Sequence, residues 1–100
     1  MLYTKTPYAQ HQFIDTDGKA VGDLPPWMKD SEQLLRFYRT MTLIRLFDKR
    51  VVSLQRTGQM GTYASCLGQE AIGTAIGCAL QSQDVFVPYY RDQAAQYLRG

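Results

Sequence analysis

The stretch Gly68-Gln69-Glu70-Ala71-Ile72-Gly73-Thr74-Ala75-Ile76-Gly77-Cys78-Ala79, followed after Asp84 by Val85-Phe86-Val87-Pro88-Tyr89-Tyr90-Arg91-Asp92, decides the fold of this chain. Its first half predicts a helix over residues 68–81 with little side-chain volume, because Gly73, Ala75, Gly77 and Ala79 are all small. Small residues four apart let another backbone approach closely. The Gly73-to-Gly77 spacing signals membrane dimerisation only inside a longer apolar segment, so here it signals tight packing. Glu70 falls in the first turn, where a carboxylate offsets the positive helix end and satisfies a free amide. That gives Glu70, and Gln69 beside it, a structural rather than a catalytic role.

The second half reads as strand, turn and helix. Val85-Phe86-Val87 predicts a short strand, Pro88 ends it because proline has no N–H to give to a ladder, and Gln93 to Leu98 predicts a helix. Ligands of open α/β sheets bind in such strand-to-helix crevices. Arg91 stands there, always charged and carrying a rigid fork of donors that matches carboxylate or phosphate oxygens two at a time. Tyr89 and Tyr90 add hydroxyls and stacking faces. Together they point to an anionic, phosphate-bearing ligand. The same residue types also allow Arg91 to pair with Asp92 or another carboxylate, with the tyrosines half-buried in a core.

Upstream, residues 31–57 predict the clearest helix. Asp30 or Ser31 can cap it, and Leu34, Phe37, Met41, Ile44, Phe47 or Asp48, Val51 and Leu54 recur at spacings of three and four before Gly58. Its other face carries Arg36, Arg39, Arg45, Lys49, Arg50 and Arg56 against Glu32 and Asp48. Phe37, Tyr38, Leu43, Leu46 and Val52 spread apolar groups around the circumference, which favours a helix packed on more than one side over a nucleic-acid footprint. Residues 1–30 carry three Lys against four Asp, with a turn signal at Asp17-Gly18 between Phe13-Ile14 and Ala20-Val21, and then Pro25-Pro26. They read as an extended arm whose Tyr3, Tyr8, Phe13 and Trp27 lie against the rest of the subunit or a neighbour; a disordered tail with a short hairpin is the alternative.

Composition narrows the class. With 45% hydrophobic residues and a net charge of +2, the chain is ordinary globular protein, and nothing in it demands a nucleic-acid partner. Cys66 and Cys78 make no zinc spacing with the lone His11, and both read as small, reduced, buried hydrophobes. The N-terminus lacks the order of a secretion signal, and no apolar run reaches the roughly 20 residues that span a bilayer. The expected localisation is cytoplasmic.

The ordered series Arg45-Leu46-Phe47-Asp48-Lys49-Arg50, Leu54-Gln55-Arg56-Thr57-Gly58, Gly68-Gln69-Glu70-Ala71, Asp84 and Tyr90-Arg91-Asp92 resembles the N-terminal part of the alpha subunit of thiamine diphosphate-dependent 2-oxo acid dehydrogenases. This is the decarboxylating component acting on pyruvate or branched-chain 2-oxo acids. The segment from Phe13 to Gly18 and on through Pro25-Pro26-Trp27 is similar to bacterial members. The resemblance implies an α/β thiamine diphosphate-binding fold in the parent subunit, a parallel sheet with helices on both faces. This piece supplies a mainly helical part: an N-terminal arm (1–30), then the truncated start of the thiamine diphosphate-binding domain (31–100), with a long helix, a small-residue helix and one short strand.

Carried over residue by residue, the resemblance places Tyr90 and Arg91 on the cofactor diphosphate, Tyr89 in the same turn, and Thr62 and Tyr63 at the substrate pocket. Many members have an aromatic where this chain has Thr62, which leaves the pocket's shape open. Mitochondrial pyruvate enzymes place a His where this chain has Ala64, so this loop offers no imidazole acid or base. The Gly-Asp-Gly motif that holds Mg2+ in the family has no counterpart before Gly100, so the metal ligands are expected beyond residue 100 and the 100 residues are expected to be inactive alone. The implied partners are a beta subunit, in a heterotetramer, and a lipoyl acyltransferase core. The implied reaction is oxidative decarboxylation with acyl transfer to a lipoyl carrier. The competing reading is a non-catalytic helical assembly module, with Arg91 paired internally.

Overall fold

Twenty-six residues without glycine or proline, entered through an aspartate, form the longest element, α1 (Ser31–Arg56), in a computed structural model that describes residues 7–100. Asp30 caps it: its Oδ1 accepts from the amides of Glu32 (3.0 Å) and Gln33 (3.3 Å), worth about 1 kcal/mol. At the other end Gly58 takes φ +73°, which lets its amide reach the Gln55 carbonyl (3.1 Å) while Gln59 reaches Leu54 (3.0 Å). That pair of bonds closes the helix end in a Schellman motif.

The buried line of α1 is Thr40, Ile44, Asp48 and Val51. Of the two alternatives at the middle of the stripe, Asp48 is therefore the inward residue and Phe47 the exposed one. Asp48 does not belong to the basic face, whose Arg36, Arg39, Arg45, Lys49, Arg50 and Arg56 are all exposed.

The small-residue helix, α2 (Glu70–Ala79), is shorter than the 68–81 span because Gln69 caps it and Leu80 is already extended. Its tight packing has a definite partner, α3 (Gln93–Arg99). A Cβ on Gly73 would meet the Ala94 Cβ at 3.0 Å, and one on Gly77 would meet the Leu98 Cβ at 2.8 Å and the Ala95 Cα at 3.1 Å. Glycine at both positions lets the two backbones touch, and Ala94 and Ala95 are buried in the seam. The connection between the helices is pinned by Arg99, which donates to the carbonyls of Gln81 (2.6 Å), Ser82 (3.3 Å) and Asp84. Ile44 of α1, Cys66 of the loop after α1, and Ala94 of α3 meet in the central apolar cluster.

The strand expected at Val85-Phe86-Val87 is absent. These residues lie between elements with no ladder, and Val85 and Val87 are 89% and 85% exposed. A strand exists only with a neighbour to take its N–H and C=O groups, and no second strand lies beside it among the described residues. The described part is mainly helical, as expected.

In the arm, Ile14 and Ala20 form an antiparallel bridge around the Asp17-Gly18 turn, whose Asp15 carboxylate accepts from the amides of Asp17 and Lys19. A short 3-10 turn at Pro26–Lys29 then sets the Trp27 ring edge-on to Phe37, with centroids 5.6 Å apart. Tyr8 is largely exposed, Phe13 and Trp27 leave a little under half of their surface open, and Tyr3 lies outside the described residues. No helix of the described residues is long and apolar enough to cross a membrane.

Candidate functional site

The loop between α1 and α2 is held from below by one buried carboxylate. Asp48, 3% exposed, accepts from the Tyr63 hydroxyl (2.8 Å), the Ser65 hydroxyl (2.7 Å) and the Cys66 amide (2.8 Å). Burial pushes its carboxyl up, but the bonds from Ser65, Cys66 and Tyr63 outweigh that, and the net shift is downward. Asp48 therefore stays ionised. Burial, and then the Asp48 charge, raise both the Tyr63 phenol and the Cys66 thiol, so neither loses a proton at neutral pH. Tyr63 also sets its ring edge-on to Phe47, with centroids 6.3 Å apart.

From above, the same loop is held by the turn that enters α3. Arg91 donates from Nε to the Ser65 carbonyl (2.9 Å) and from Nη2 to the Leu67 carbonyl (3.1 Å). Gln93 donates from Nε2 to the Ala64 carbonyl (3.0 Å) and to the Tyr63 hydroxyl (3.3 Å). The direction of these bonds is fixed, because the Ala64 carbonyl needs a donor and the Tyr63 proton goes to Asp48. The turn closes on itself: Asp92 accepts from the Tyr89 amide (2.8 Å) and returns its own amide to the Tyr89 carbonyl (3.1 Å).

Among the described residues Arg91 has no carboxylate partner, and the ion pair is Arg45–Glu70, at 2.6 Å. Asp92, the partner that residue types alone allowed, is occupied by the turn. Arg91 is thus anchored on two backbone oxygens, with Nη1 uncommitted and its charge uncompensated. The rings of Tyr89 and Tyr90, the two residues before it in the same turn, pack on each other with centroids 4.0 Å apart, and the Tyr90 hydroxyl raises the Tyr89 phenol. Tyr90 is 65% exposed. A guanidinium fixed by carbonyls, with no carboxylate on it among the described residues and two exposed tyrosines next to it in sequence, suits an anionic oxygen cluster.

Of the five site residues read from sequence, Tyr63 and Arg91 are joined through the loop, and Tyr89 and Tyr90 share the Arg91 turn. Thr62 is exposed and takes no part in the network. Glu70 is structural, as expected: it accepts from the Gly68 amide (2.9 Å) and from Arg45, and the Arg45 bond is the first cause holding its carboxyl below the usual range. Sequence reasoning did not find Asp48, Ser65 and Gln93 as the framework of the site. The signal for Asp48 was an acid recurring on an apolar stripe, which is worth a buried partner search in any helix.

The family model described as "Dehydrogenase E1 component" matches residues 38–100. The chain belongs to the dehydrogenase E1 component family. Members similar to it include the 2-oxoisovalerate dehydrogenase subunit alpha of Pseudomonas aeruginosa, 44% identical over 86 residues, which is 86% of this chain and 21% of that protein. The pyruvate dehydrogenase E1 component subunit alpha of Staphylococcus epidermidis is 41% identical over 90 residues, covering 89% and 24% of the two chains. Its Staphylococcus aureus counterpart is 39% identical over the same length. The chain spans about a fifth to a quarter of the length of these curated relatives. No solved structure matches it significantly. The matched residues take in α1 from Tyr38 onward, the loop, α2 and α3, and so the entire Asp48–Arg91 network.

Proposed function

We propose that this chain is the N-terminal part of the alpha subunit of a thiamine diphosphate-dependent 2-oxo acid dehydrogenase. Residues 31–100 would begin its cofactor domain, α/β in the parent subunit, with residues 1–30 as the arm. The observation that carries this reading is Arg91, anchored on the Ser65 and Leu67 carbonyls with its charge unmatched. A diphosphate supplies what such a group lacks. Arg91 would hold diphosphate oxygens, with Tyr90 and Tyr89 offering hydroxyls from the same turn. When bound, the thiazolium ring supplies the electron sink that lets a 2-oxo acid lose carbon dioxide. The residues of this chain bind and orient. Tyr63 presents its ring but no acidic proton, because its hydroxyl is committed to Asp48. Thr62 lines the open side of the loop as a substrate-pocket residue.

The overall reaction converts a 2-oxo acid and an oxidised lipoyl disulfide into carbon dioxide and an acyl-dihydrolipoyl carrier. The electrons of the broken carbon–carbon bond reduce the disulfide. The partners that the resemblance implies are a beta subunit and a lipoyl acyltransferase core, in a cytoplasmic multienzyme complex, with Mg2+ held by residues outside these 100. Pyruvate and branched-chain 2-oxo acids are the substrate classes, since the relatives' names divide between the two.

The test is Arg91→Ala in the assembled alpha–beta enzyme, titrated calorimetrically with thiamine diphosphate and Mg2+. We expect affinity to fall by about ten-fold or more, the worth of a charge-assisted pair of bonds at roughly 1.5–3 kcal/mol. An unchanged affinity in a folded variant overturns the assignment.

A further inference from the structure

Ser65 faces two ways. Its hydroxyl donates to Asp48 and its carbonyl accepts from Arg91, at 2.7 and 2.9 Å. A second route runs parallel to it: Asp48 accepts from Tyr63, whose oxygen accepts from Gln93, two residues after Arg91. The guanidinium is therefore oriented by carbonyls whose own position is set by a buried carboxylate on α1, more than forty residues earlier in the chain. Moving Asp48 moves the surface against which Arg91 is aimed.

We propose that Asp48 is a positioning residue for the anion site: by fixing loop residues 63–66 it holds Arg91 at the angle that binds the cofactor's diphosphate. This rests on the diphosphate reading of Arg91. Asp48 touches no ligand itself. Its three acceptor contacts fall on Tyr63, Ser65 and Cys66, and a carboxylate accepts all three with its two oxygens, whereas an amide nitrogen accepts nothing. Asp48→Asn therefore keeps the volume of the side chain but removes its charge and, with Oδ1 kept for Tyr63 and Cys66, turns the partner of the Ser65 hydroxyl from acceptor to donor.

The experiment is a double-mutant cycle in the assembled enzyme, with the dissociation constant of thiamine diphosphate in Mg2+ as the readout and circular dichroism to verify folding. We expect Asp48→Asn to raise that constant by roughly ten-fold, the scale on which outer groups act through the ligands they orient. We expect Asp48→Asn combined with Arg91→Ala to bind no worse than Arg91→Ala alone. A merely structural carboxylate would weaken both backgrounds equally, and additive losses overturn the proposal. An unchanged constant in Arg91→Ala overturns the diphosphate reading and this inference with it. A normal loss in Arg91→Ala beside an unchanged Asp48→Asn overturns this inference alone. Should Asp48→Asn fail to fold, Ser65→Ala takes its place in the cycle with the same criteria and an expected loss of about three-fold, since one of the three bonds is removed.

Discussion

Asp48 is the residue on which stability and site geometry meet. Truncating it to Ala would orphan the Tyr63 and Ser65 hydroxyls and the Cys66 amide, and the expected loss is about 3 kcal/mol, measured by urea denaturation. A loss below 1 kcal/mol would mean that the loop is held mainly by Arg91 and Gln93. Acid should act through the same group. The carboxyls of Asp48 and Glu70 are both depressed in the folded chain, so each contributes stability that is fully present above the ordinary carboxylate pKa near 4. That contribution drains away as pH falls through the lower folded-state values. Stability plotted against pH should thus drop below about pH 4, and Asp48→Asn should flatten the drop. Little of this was legible beforehand. The sequence placed Arg91 and Tyr63 in a site, yet the carboxylate that joins them lies on a different helix, and a single aspartate within a helical repeat reads equally well as surface.

At the scale of elements, the α2–α3 seam makes the sharpest claim. Gly77→Ala adds a methyl against the Leu98 side chain at 2.8 Å and against α3 backbone at 3.1 Å, so we expect a net loss of about 1–3 kcal/mol despite alanine's better helix propensity. Gly73→Ala meets chiefly the Ala94 methyl at 3.0 Å and should cost less. Equal stability of the two variants would show that the seam opens easily. In the same helix the Thr74 hydroxyl is buried without a partner, so Thr74→Val should be neutral or stabilising by up to about 1 kcal/mol in thermal unfolding. Helices were the readable part of this chain, because periodicity, the Asp30 cap and the Gly58 stop are local signals. The valine segment was misread for the opposite reason: an apolar run before a proline states a preference for extension, but a ladder needs a neighbour from elsewhere in the chain.

For the molecule as a whole, buried apolar side chains are few. Among the described residues Ile44, Val51, Cys66, Ala94 and Ala95 make up the buried hydrophobic core, while Leu35, Tyr38, Leu46, Leu67 and Ile72 each expose half or more of their surface. The radius of gyration, 17.2 Å, exceeds the roughly 13 Å of a compact 100-residue domain. So much uncovered apolar surface fits the reading of α1 as a helix packed on more than one side in a larger assembly. It also sets how the polypeptide should behave in a tube. Val85 and Val87, bare and outside any ladder, present apolar side chains and open backbone to any passing copy, and such surface seeds edge-to-edge pairing. Light scattering from the isolated 100 residues should therefore climb with concentration, and Val85→Lys should suppress the climb. Equal scattering from both would place the stickiness on α1 instead.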